Sequence, residues 1–176
     1  MTIKELTAVL QPPEVPIEAP SSGGWSEVER RLKTALPQDY KDYVEIFGSG
    51  AVSNFLWILN PFSVNPNLNL EQQLKTQTDV LGDLRNYGED VPYRCFPQAG
   101  GIFPFALSDN GDVLYWLTNG LPAEWTVVVN EARGPEWQHF DLPMTDFVTG
   151  VLTKKFSCHI FPSNFPGQFP NFSPKC

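Results

Sequence analysis

The chain has 176 residues, 41% of them hydrophobic, with 12 Lys and Arg against 20 Asp and Glu, so its formal net charge is −8. That length fits one domain with room for a core. The acidic balance argues against direct nucleic-acid binding, which draws on Lys and Arg to neutralise phosphates, and it suits a basic protein partner.

Thr2 and Glu5 have capping-box spacing ahead of a short helix that ends near Leu10, where Pro12 and Pro13 stop it. The stretch from Gln11 to Gly24 is rich in Pro, Ser and Gly, and reads as a linker or extended strap without regular helix. Residues 1–24 are therefore set apart from a compact domain over residues 25–176. Trp25, Val28, Leu32 and Leu36 fall on one helical face, and Pro37 ends that helix. Tyr40, Tyr43, Val44 and Phe47 mark a second helix, closed by Gly48-Ser49-Gly50 with a glycine for a left-handed cap. Asp39, Asp42 and Glu45 lie elsewhere on its circumference and form an acidic exposed face. Val52 to Leu59 reads as one strand. Leu70, Leu74, Leu81 and Leu84 support a third helix, weakened by Thr78 and Gly82. Gly88 to Gly101 reads as loop.

The stretch from Pro104 to Val129 organises the rest. Its apolar runs, Phe105–Ser108, Val113–Leu117 and Trp125–Val129, are separated by turn residues. Asn110-Gly111 suits a two-residue type I′ hairpin. That turn places Phe105 opposite Trp116 and Leu107 opposite Leu114 on the core face, with Ala106 opposite Tyr115 and Ser108 opposite Val113 on the other. Trp137 to Phe140 adds a fourth strand. Met144, Phe147, Val148, Val151 and Leu152 mark a last helix. The Phe/Pro-rich tail from Phe156 to Cys176 has no helical or strand period, and its five Phe should lie on the domain. The reading is a single α+β domain: an antiparallel meandering sheet flanked by helices. Its core includes Trp25, Leu36, Tyr40, Phe105, Leu107, Leu114, Trp116 and Trp125.

No segment reaches the roughly 20 apolar residues of a membrane helix. The start of the chain, with Glu5 in it, lacks the pattern of a signal peptide. Cys95, Cys158 and Cys176 give no disulfide framework, so a cytoplasmic setting is expected. Asp109 and Asp112 flank a turn and lack the spaced oxygens of a calcium loop. His139, Cys158 and His159 lack a fourth zinc ligand. No nucleophile elbow or phosphate-cradling loop is present. No catalytic residue, metal or cofactor is assigned.

The segment WSEVERRLKTALPQDYKDYVEIFGSG resembles the start of a SUKH superfamily domain of the SMI/KNR type. Trp25, Val28, Glu29, Leu36, Pro37, Asp39, Tyr40, Phe47, Gly48 and Gly50 carry the likeness. The later pattern follows at Phe96, Pro97, Gly100, Gly101, Gly111, Asp112, Leu114, Tyr115, Trp116, Trp125 and Val127 to Val129, and closes around Phe147 and Leu152. The resemblance covers roughly residues 25–174. It implies an α+β fold and a non-enzymatic role. Many bacterial members are cytosolic immunity proteins that neutralise polymorphic toxins, often nucleases. Eukaryotic relatives regulate cell-wall assembly and signalling, which makes a regulatory or scaffold adaptor the alternative. Since nuclease toxins are commonly basic, the expected partner surface is acidic: Asp39, Asp42 and Glu45 first, then Asp109, Asp112 and Glu124.

Overall fold

A computed structural model describes residues 3–132 and 134–176. The Thr2 half of the expected capping box lies outside them. The α+β reading holds: five helices surround a seven-stranded antiparallel sheet in the order β6-β5-β4-β3-β2-β1-β7. The strands are β1 (Gly50–Val52), β2 (Leu56–Ile58), β3 (Ile102–Ser108), β4 (Val113–Leu117), β5 (Thr126–Asn130), β6 (Trp137–Phe140) and β7 (Phe172–Pro174). The helices are α1 (Ile3–Val9), α2 (Gly24–Leu32), α3 (Gln38–Phe47), α4 (Leu70–Asn86) and α5 (Met144–Leu152).

Residues from β1 through β6 form a meander in which each strand pairs with the next in sequence. The register of its central hairpin differs from the expectation. Phe103, not Phe105, stands opposite Trp116, while Ala106 pairs with Leu114 and Leu107 with Val113. Two features cause the change. The turn is a three-residue loop closed between Ser108 and Asp112 (2.9 Å), with Gly111 at φ 90°, the glycine-bulge form of hairpin. A β-bulge then lies between Pro104 and Ala106. The first shift pairs Leu107 with Val113 on the outer face, where it is half-buried and touches both the main and the smaller core. The second keeps Phe105 inside, stacked on Trp116 at 5.0 Å.

The single strand expected over Val52–Leu59 is two strands. Ser53 and Asn54 take φ of 48° and 51° between β1 and β2, the left-handed values of a primed turn. The α2 helix also stops earlier than Pro37. Lys33 turns left-handed (φ 56°), and the Glu29 carboxylate accepts from the Leu36 N–H at 2.9 Å and from Lys41 at 3.0 Å. Leu36 is buried nonetheless.

The inner face of the sheet carries the main core. Trp116, Phe103, Phe105, Leu114, Val127 and Val129 meet Tyr40, Tyr43 and Phe47 of α3, Phe147 and Val148 of α5, and Leu6 and Leu10 from the N-terminal segment. The Tyr40 ring stands edge-on to Trp116 at 4.9 Å. Trp125 is buried and Trp25 half-buried. The outer face has a smaller core of Leu81, Ile102, Val113, Tyr115 and Val128 under α4.

Both end segments are tied down. Residues 11–23 form no helix and run as a strap. The Ser49 N–H donates to the Ile17 carbonyl at 2.8 Å, and buried Asn60 donates to the Glu18 carbonyl and Ser49 Oγ, each at 3.0 Å. A Cβ at Gly48 (φ 66°, ψ −149°) would fall on the Ile17 carbonyl, so this glycine admits the strap instead of making the expected left-handed cap. In the tail, Phe161 and Phe165 pack on Phe55, Phe156 on Phe140, and Phe172 on Phe47. Phe169 stays exposed. The tail also supplies a strand that its sequence does not announce, β7, paired along β1.

Candidate partner-binding surface

The six acidic residues expected to meet a partner lie on three separate elements, and each already holds a hydrogen bond within the chain. Asp39, in the first turn of α3, accepts from the Thr145 N–H at 3.0 Å and Thr145 Oγ at 3.1 Å. Pro143 at the N-cap of α5 offers no side-chain cap, so Asp39 supplies an anion to that helix start from across the core. Asp42 accepts from Gln38 Nε2 at 2.7 Å. Glu45 accepts from the Trp25 indole at 2.8 Å and so links α3 to α2. Of the three, Glu45 is exposed, and Asp39 and Asp42 are half-buried.

Asp109 is exposed and accepts from the Trp57 indole at 2.7 Å. Asp112 is 2% exposed. Its carboxylate accepts from Ser108 Oγ at 2.6 Å and from the Ala132 N–H at 2.9 Å. It therefore joins the β3–β4 and β5–β6 turns and lies on no surface. Glu124, in a single 3-10 turn ahead of β5, accepts from the Leu121 N–H at 2.7 Å. These carboxylates are first of all structural acceptors.

A different surface has the unspent groups. Val80, Leu84 and Tyr87 recur at i, i+4 and i+7 along and just beyond the C-terminal half of α4, and are 43%, 37% and 88% exposed. Val80 and Leu84 border a groove of about 440 Å³ between α4 and the outer face of β4–β6. Leu81, Val113 and Tyr115 make its buried floor, and the half-buried Trp137 a wall. Burial among these side chains pushes the Tyr115 phenol well above the ordinary tyrosine range. Glu89 and Asp90 rim the groove after α4, and Glu131 rims it from the β5–β6 turn. The sequence reading used Leu84 only as support for its helix. Its overlooked signal is that Val80, Leu81, Leu84 and Tyr87 spread apolar surface wider than one contact stripe can bury.

The three cysteines are free. Burial pushes the Cys158 thiol up to about 11, which leaves it protonated and inert at neutral pH. Among the described residues, no group of His, Cys, Asp and Glu could hold a metal ion. No described helix is long and apolar enough to cross a membrane.

No curated protein and no solved structure matches the chain. A family model, SUKH_6, described as SMI1-KNR4 cell-wall, matches residues 23–141. The match runs from the residue before α2 to the one after β6 and takes in the whole meander. By that match, over well more than half its length, the chain belongs to the SMI1-KNR4 family of the SUKH superfamily.

Proposed function

We propose that this chain is a non-enzymatic protein-binding module of the immunity type, which neutralises a basic toxin domain by stoichiometric binding in the cytoplasm. The observation that carries the reading is membership of the SMI1-KNR4 family. The net charge of −8 supports a basic partner. Complementary fields raise association rates, while tight holding needs desolvated anchors.

The test is co-expression with each product of the flanking genes that arrests growth when expressed alone. Restored growth together with a one-to-one complex on size exclusion supports the reading. Failure of both, with every product of the flanking genes, overturns it. The cell-wall description of the matched family favours a second reading, a regulatory adaptor of cell-wall assembly. A deletion strain with altered sensitivity to wall-binding dyes, and no neutralised toxin, would select it.

A further inference from the structure

We propose that the groove between α4 and the outer face of β4–β6 docks a partner segment presenting one bulky apolar side chain flanked by lysine or arginine. This deepens the protein-binding reading and rests on it for the class of partner. Two observations with different physics converge on one place.

The first is apolar. The floor of Leu81, Val113 and Tyr115 is built, and Val80 and Leu84 beside it remain open to water. Exposed apolar residues scattered singly need no explanation, but a contiguous strip along a groove does. The volume of about 440 Å³ lies within the roughly 300–1,000 Å³ range of pockets that take a ligand group.

The second is electrostatic. Asp39, Asp42, Glu45, Asp109, Asp112 and Glu124 all hold side-chain hydrogen bonds inside the chain. The carboxylates of Glu89, Asp90 and Glu131 hold none with another described residue, and they come to the rim from both walls. Like charges gathered around an apolar floor repel one another, and a cation entering between them relieves that repulsion. An acidic segment would add to it. A second copy of this chain brings its own charge of −8, which leaves a basic segment of another protein as the occupant whose charge fits.

The probe is the capped tripeptide Ac-Lys-Phe-Lys-NH2, titrated into the ¹⁵N-labelled full chain, with Ac-Glu-Phe-Glu-NH2 as its counterpart. The basic peptide is expected to shift the Trp137 indole and the amides of Val80, Leu84 and Gly134 in a saturable way. The acidic peptide should leave them unmoved. The triple variant Glu89→Gln, Asp90→Asn, Glu131→Gln should bind the basic peptide about tenfold more weakly at an unchanged melting temperature. Shifts confined to α3 or to any other surface, no shift, equal response to both peptides, or unchanged affinity in the triple variant would each overturn the proposal. The probe is not a toxin, so its failure leaves the immunity reading standing. Failure of the co-expression test equally leaves groove binding to be read here.

Discussion

The inner face of the sheet is closed by α1, α2, α3, α5 and much of the C-terminal tail, whereas the outer face receives the later part of one long helix, α4, whose Leu70 and Leu74 still join the main core. Inside, aromatic rings meet at centroid distances near 5 Å, as Tyr40, Phe105 and Phe172 do with their neighbours. Outside, a groove is left and part of the helix stays bare. The difference separates two uses of apolar surface. Where it is fully covered it contributes to folding, and where it stays half covered it is available to a partner.

The sharpest way to break that contrast is at its inner side. Trp116→Ala should destabilise by about 3–5 kcal/mol in denaturant titration, the range for large-to-small aromatic changes in a core. A loss under about 1 kcal/mol would mean the inner face is not the stability centre.

A finer test uses two buried tyrosines on α3. The Tyr40 hydroxyl donates to the Leu59 carbonyl at 2.7 Å, while the Tyr43 hydroxyl is buried with no partner among the described residues. Tyr40→Phe should cost about 1 kcal/mol for the lost hydrogen bond. Tyr43→Phe should stabilise by about 1 kcal/mol, because it removes an unpaired buried hydroxyl. Burial raises both phenols well above their ordinary range. The unfolded chain therefore releases these protons near pH 10 while the folded chain keeps them. Their contribution is intact below pH 10 and declines as pH rises further, by about 1.4 kcal/mol per pH unit per group. Tyr43→Phe should make that alkaline decline shallower by one group. Equal slopes for the two proteins would show that Tyr43 ionises freely.

The smallest effect is expected on the outer side. Leu84→Ser should change stability by less than about 0.5 kcal/mol, as surface substitutions do, while lowering peptide affinity for the groove. A loss of several kcal/mol would make Leu84 part of the core and remove it from the docking surface.

How much of this was legible in the sequence depended on how local the determining contacts are. The α3 and α5 helices and strands β4 and β6 were read with little error, because hydrophobic period sets them over a few residues. The register of β3 was not, because it turns on a three-residue loop at Asp109–Gly111 and a bulge at Phe105 that no period records. The β7 strand depends on pairing Phe172 with Val52, and the role of Asp39 depends on Thr145, 106 residues away. An acid on an exposed helix arc looks the same in sequence whether it faces water or caps another helix. What the sequence does not show is that each of those acids also accepts a hydrogen bond within the chain. The carboxylates of Glu89, Asp90 and Glu131 border a groove whose two walls come from the residues around 80–91 and 130–137.

Strand β7 has a bearing on how the molecule behaves when crowded by copies of itself. Without it, Gly50–Val52 would present bare N–H and C=O groups at the end of the sheet, a template for recruiting foreign strands and for aggregation. The three residues Phe172, Ser173 and Pro174 cover that margin. The new margin they create is short, contains a proline with no N–H to offer and is followed at once by Lys175, features that halt further growth of a sheet. Strand β7 thus covers an edge that could otherwise recruit foreign strands, and clipping it would expose that edge while leaving the central meander intact.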